Sequence, residues 1–168
     1  MLVRRAAVGA NLARVSVFSL SCGWMPIMAD VVAFLKLTYA GANKMLAEAV
    51  AKAEAMGVPQ CIAIVDNGGN LLAFARMDGA KPLSVDSATR KAISAASSRA
   101  PTGGMAEGLD IRLAIATQGK LLNVKGGLPI VVDGHTIGGI GVGSGTGDQD
   151  LEVAKAGVAA LAGAKTDF

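Results

Sequence analysis

Aromatic side chains are scarce in this chain, with one Trp, one Tyr and four Phe in 168 residues. A platform for single-stranded nucleic acid needs exposed rings beside a basic groove, so the scarcity argues against one. Charge of one sign is not concentrated either. The net charge is +3; Arg4, Arg5 and Arg14 stand near the start, and within the domain only Arg90 and Lys91 adjoin. Nucleic-acid binders carry a clustered basic stripe, and no such partner is expected. Cysteine is limited to Cys22 and Cys61, with no CxxC and no Cys/His zinc spacing. Cys61 reads as a small buried hydrophobe. No apolar run reaches the length of a membrane span, so no membrane partner is expected. No P-loop is present, and no register of the Gly138–Gly147 run supplies the offsets of a dinucleotide fingerprint.

Small aliphatic residues are plentiful instead. Hydrophobic residues make up 52% of the chain, carried by Ala, Val, Leu, Ile and Gly. The length fits one domain able to bury a core without staples. Residues 1–36 differ from the rest and read as a leader or N-terminal extension, leaving residues 37–168 as the domain. Three readings compete for the first segment: a signal peptide, an added helix, or an upstream extension with Met28 as the natural start. The third is favoured and implies a cytoplasmic protein; the signal-peptide reading implies a secreted one.

Along the domain, Thr38 caps a predicted helix to Met56, with Ala42, Met45, Leu46, Ala49, Val50 and Ala53 on one face and Gly57 as its stop. Gln60–Asp66 and Leu71–Met77 flank an Asn67-Gly68-Gly69-Asn70 turn and predict a β-hairpin. Ser84–Ala100 predicts an alanine-rich helix with Ser84 as its cap. Leu113–Thr117 and Lys120–Val124 read as short extended pieces. Ile130–Asp133 and Thr136–Gly143 form a second hairpin across Asp133-Gly134. Asp148–Ala162 is the last helix, its acidic residues favouring the N-terminal turn. Two hairpins fix antiparallel pairing, so the fold class is α+β, an antiparallel sheet flanked by helices.

Several residues are candidates for chemistry. Ser87, Lys91 and Ser94 share a polar stripe, with Asp86 and Arg90 at i, i+4 beside it. They read either as a solvated face or as a pocket wall. A lysine on a closely packed alanine-rich helix is prone to burial, which lowers its pKa and makes it a candidate base. Arg76 and Asp78 stand at the mouth of the first hairpin, as rim charges or as part of a ligand site. The amides of Gly143 to Gly147, Gly145 among them, precede a helix and can receive an anion. His135, the only histidine, sits at a hairpin tip, and its functional alternative is a metal or haem ligand across an oligomer interface.

Seven motifs then occur in order: Ile64-Val-Asp66-Asn-Gly-Gly-Asn70, Phe74-Ala-Arg76-Met-Asp78-Gly79-Ala80, Ser87-Ala-Thr-Arg-Lys91-Ala92, Gly126-Gly127-Leu-Pro129, Val131-Val-Asp133-Gly134, Ile137-Gly-Gly-Ile-Gly-Val142 and Gly147-Asp-Gln-Asp150. From about Leu37 to Leu161 the chain thus resembles the GlcG/HbpS family. The resemblance implies a profilin- or PAS-like three-layer arrangement, homo-oligomers, and a haem-binding, haem-degrading sensor among the members. It also implies a place for Lys91 beside the loop of Arg76 and Asp78. The sensor's helix carries two acidic residues spaced by three for iron; here Asp86 matches the first, and Thr89 replaces the second. Its haem-ligating threonine aligns near Leu113, with Met105 and Thr117 as nearby substitutes.

Two functions are therefore expected of this small-ligand-binding domain. In one, Lys91 and Asp78 act on a small organic acid in catabolism, with Arg76, Asp86, Arg90, Gly126, Gly127, Gly143 and Gly145 around it and no metal. In the other, the ligand is haem or a related tetrapyrrole. The first 27 residues carry no capping signals and lie outside the resemblance. Deleting them is expected to leave the melting temperature within a few degrees; a collapse in soluble yield would show that they stabilise the domain.

Overall fold

A computed structural model of the chain describes Asp30 and residues 32–168. The readings of Cys22, of Met28 as a start and of a signal peptide fall on residues outside that range. The chain divides into two units, Met1–Ala33 and Phe34–Phe168, and the second carries the sheet and its helices. Its elements run α1 (Tyr39–Ala55), β1 (Cys61–Asp66), β2 (Leu71–Arg76), α2 (Ser84–Ser98), α3 (Leu109–Ala116), β3 (Gly127–Val132), β4 (His135–Gly143) and α4 (Gly147–Ala159). The four strands form one antiparallel sheet in the order β2-β1-β4-β3. No helix among the described residues is long and apolar enough to cross a membrane.

Alternation along the central strands divides the core between two layers. Ile62 and Ile64 of β1 and Ile140 and Val142 of β4 pack with Met45 and Ala49 of α1 and Val153 and Val158 of α4. Cys61, Ala63 and Val65 point the other way, onto Ala88, Ala92 and Ala96 of α2. The fold is therefore α+β with helices on both faces of the sheet.

The α1 reading holds in detail. Thr38 accepts from the Gly41 amide at 3.1 Å, and Ala42, Met45, Ala49 and Ala53 are the buried stripe. The two hairpins turn for different reasons. Asp133 and Gly134 both have positive φ, 48° and 77°, as a two-residue turn of this hand requires. In the first hairpin only Gly69 is left-handed. There the Asp66 carboxylate organises the loop, accepting from the Gly68 and Asn70 amides at 2.9 Å and from Asn70 Nδ2. Desolvation opposes ionisation of Asp66, but these donors outweigh it and hold its carboxyl below the ordinary value.

Three expectations are corrected. Ser84 is the first residue of α2 and not its cap; the first turn hangs on backbone carbonyls of Lys81, Pro82 and Leu83. Leu113–Thr117 is not extended but mostly the second half of α3. A short apolar run does not distinguish helix from strand, and the outer edge of β3 is already covered. Thr102 N–H donates to Gly127 O, Lys165 N–H donates to Val131 O, and Val132 bridges Ala164. Lys120–Val124 is irregular, tied down by Leu122 N–H to Ser94 Oγ at 2.7 Å and Thr102 Oγ1–H to Val124 O at 2.6 Å.

The closest approach in the fold is between β4 and α2. A Cβ at Gly139 would overlap Ala92 O, and one at Gly141 would overlap Ala88 O. Backbone carbonyls of a helix cannot step aside, so Gly141→Ala is expected to destabilise the domain by about 3 kcal/mol. Urea unfolding followed by circular dichroism checks it.

Candidate functional site

Lys91 lies on the side of α2 that meets β4, and it is only 3% exposed. Its ammonium donates to Val142 O and to Asp150 Oδ2, both at 2.7 Å. Asp150, equally buried, accepts the Gly145 amide on its other oxygen at 3.0 Å. The pair thus links α2, the end of β4 and the first turn of α4. Gly126 lies directly over it, since a Cβ there would come within 2.6 Å of Asp150 Cβ and 3.1 Å of Lys91 Nζ. The Gln60 carboxamide is buried close by against Gly145, and neither of its polar atoms has a partner.

Asp150 was expected only to favour the first turn of α4. The cap there is Thr146, reciprocated by Gln149, and Asp150 faces the interior instead. The signal was legible: Asp150, Val153, Ala154, Gly157 and Val158 form one stripe at helical spacing. A lone carboxylate on an apolar stripe implies a buried cation opposite it. Of the two readings of the polar stripe of α2, the solvated face does not describe Lys91 and Ser94, which are buried; the expected burial of a lysine on this alanine-rich helix is what the structure has.

The expected site residues fall into three groups. Arg76 and Asp78 line a cleft of about 460 Å³ with Val50, Glu54, Ala75 and Met77. Lys91 takes no part in that cleft, so the expected meeting of Lys91 with Arg76 and Asp78 does not occur. Asp86 and Arg90 form an exposed ion pair at 2.6 Å, and Arg90 also donates to Gly119 O, tying the end of α3 to α2. Gly126, Gly127, Gly143 and Gly145 surround the buried pair; a Cβ at Gly127 would come within 2.7 Å of Lys91 O, and one at Gly143 within 3.0 Å of Ser87 Oγ. The Gly145 amide points inward to Asp150 and is not free for an anion. His135 is exposed at the start of β4. Burial pushes the Cys61 thiol up against a weaker opposing effect of Arg76, which keeps it protonated and unreactive.

Beside the buried pair lies a larger cleft of about 570 Å³ that the sequence did not reveal. The loop Ser98–Met105 forms one side, and Lys125, Leu151 and Phe168 form the other. The chain connects the pair to this cleft. Lys125 precedes Gly126, Leu151 follows Asp150, and Thr102 Oγ1 accepts the Gly127 amide at 2.9 Å. Lys125 reaches Asp148, whose carboxyl it holds below the ordinary range through hydrogen bonding and charge. Of the two substitutes for the missing threonine, Met105 is on the wall of this cleft. Thr117 lines a separate cavity of about 190 Å³, and its hydroxyl is already engaged with Leu113 O and the Leu121 amide. Among the described residues no cluster of three His, Cys, Asp or Glu side chains is placed to hold a metal ion.

Comparison with known proteins agrees with this architecture. Residues 37–159 match the family described as "Haem degrading protein HbpS-like". A 15.0 kDa protein of the dhaT-dhaS intergenic region of Citrobacter freundii is 35% identical over 124 residues, which is 71% of this chain and 87% of that protein. GlcG of Escherichia coli K12 is 43% identical over 82 residues, 48% of this chain and 61% of GlcG. The solved PduOC:heme complex superposes with a TM-score of 0.73 at 27% identity, covering 80% of this chain and all of that one. The chain belongs to the HbpS-like family.

Removing one partner of a buried ion pair leaves the other charge uncompensated. Lys91→Met is therefore expected to cost about 3–5 kcal/mol of stability. The double variant Lys91→Met/Asp150→Leu should recover part of that loss. Chemical denaturation of the four proteins of the cycle checks the coupling; additive losses would show that the pair is not what holds these elements.

Proposed function

We propose that this HbpS-like protein binds haem or a related flat tetrapyrrole in the cleft between the Ser98–Met105 loop and Lys125, Leu151 and Phe168. The observation that carries this reading is the lining itself. The cleft offers about 570 Å³, apolar walls from Pro101, Leu151 and Phe168, one thioether in Met105 and one ammonium in Lys125. Those are the groups that such a ligand requires: apolar faces for the ring, a soft axial donor for iron, and a cation for the propionates. The haem-bound relative PduOC supports the reading. Met105 would ligate the iron and Lys125 would pair with a carboxylate. When bound, haem supplies a redox-active iron; the chain's own contribution is to bind it, orient it and exclude water from one face.

The organic-acid reading is supported less well. Lys91, its proposed base or acid-binding residue, is enclosed with Asp150. Arg76 shares its cleft with Asp78 and Glu54, two carboxylates that would repel an acid.

A homo-oligomer is proposed on a separate observation. α3 buries none of its residues, and Ile111 and Ile115, four positions apart and so on one face of the helix, are both exposed. Exposed apolar residues that share a face favour a contact site. Light scattering is expected to return a multiple of the monomer mass, and Ile111→Lys/Ile115→Lys is expected to lower it. A monomer at micromolar concentration would contradict this.

Titration with haemin is expected to shift the Soret band of the wild-type complex. Met105→Ala should weaken binding and change the band position. Met105 is only half-buried, so the variant should fold normally, and an unchanged spectrum would remove Met105 as the ligand.

A further inference from the structure

We infer that the segment Lys165–Phe168 supplies an aromatic wall for the cleft, and that stacking on the Phe168 ring selects flat, conjugated ligands. This rests on the tetrapyrrole reading of the cleft and deepens it. Among the described residues that line the cleft, Phe168 is the only aromatic one. The other walls are small or aliphatic and offer no π face.

Ala164 bridges Val132, and Lys165 N–H donates to Val131 O at 2.8 Å. Beyond that point, no backbone–backbone hydrogen bond among the described residues engages Thr166, Asp167 or Phe168. The ring nevertheless does not hang in solvent. It lies on the cleft, with Lys165 Nζ 5.6 Å from its centroid. That cation sits within reach of the ring face and biases the orientation of an otherwise unanchored side chain. It also adds a second ammonium beside the ring, in keeping with a ligand that carries carboxylates.

The chemistry predicted is non-covalent: a planar conjugated ring lies against Phe168 in offset stacking, its carboxylates directed towards the lysines. Such stacking contributes beyond buried area, and its loss is expected to weaken binding by about three- to tenfold. Because Phe168 is 41% exposed, its replacement should leave the fold intact, which thermal unfolding verifies.

The experiment uses metal-free protoporphyrin IX, followed by fluorescence, so that ligation by Met105 plays no part. The full-length wild type, Phe168→Ala, Phe168→Leu and Phe168→Tyr are titrated. Retained affinity in the Tyr variant with loss in both Ala and Leu variants is the expected result. Wild-type affinity in Phe168→Ala would overturn the inference alone. Full affinity in Phe168→Leu would also overturn it, by showing that bulk and not a π face suffices. If the wild type binds neither protoporphyrin nor haemin, the tetrapyrrole reading itself fails, and the inference fails with it.

Discussion

The ion pair between Lys91 and Asp150 is the interaction on which the rest of this structure depends. It is a contact between two charges removed from water, and it persists because each has further partners: Val142 O for the lysine and the Gly145 amide for the carboxylate. Burying either charge alone would be strongly unfavourable. The pair therefore specifies an arrangement as much as it stabilises one. α2, the end of β4 and the start of α4 meet in only one register that satisfies both groups. Glycines at 126, 127, 139, 141 and 145 leave the room that this meeting needs.

That constraint reaches the cleft through the chain itself. Gly126 is pressed onto the pair, which sets Lys125; Asp150 is fixed, which sets Leu151. Thr102 holds both Gly127 N–H and Val124 O, and so joins the far loop to β3. The cleft is thus built on an enclosed polar core rather than around one. This inverts the role that the lysine was expected to have. Its charge is spent on architecture, while the groups that line the cleft are a thioether, an ammonium at residue 125 and apolar walls.

Much of the fold was legible because its signals are local. A capping threonine, a periodic stripe and a Gly stop defined α1, and Asp133-Gly134 defined the second turn. The alanine-rich sequence of α2 marks a closely packed helix, and the glycines of β4 are what it packs on. What was missed is non-local or ambiguous. The α3 sequence Leu-Asp-Ile-Arg-Leu-Ala-Ile-Ala satisfies helix and strand patterns alike, and the covered edge of β3 decides between them. The Lys91–Asp150 contact spans 59 positions, and a single sequence marks it only by a carboxylate on an apolar stripe. The large cleft gathers residues from 98 to 168, none of which announces the others. The resemblance puts Arg76 and Asp78 beside Lys91, whereas in the structure they line a cleft with Val50 and Glu54 of α1 of which Lys91 is not part.

The ligand site proposed for this protein is the cleft of Met105, Lys125 and Phe168, not the one at Arg76. Backbone amide chemical shifts of the isotope-labelled protein, recorded during titration with diamagnetic zinc protoporphyrin, test it most directly. The account predicts perturbations concentrated at Ser98–Met105, Lys125, Leu151 and Phe168. Perturbations centred on Val50, Glu54 and Ala75–Asp78, with the larger cleft unchanged, would contradict it.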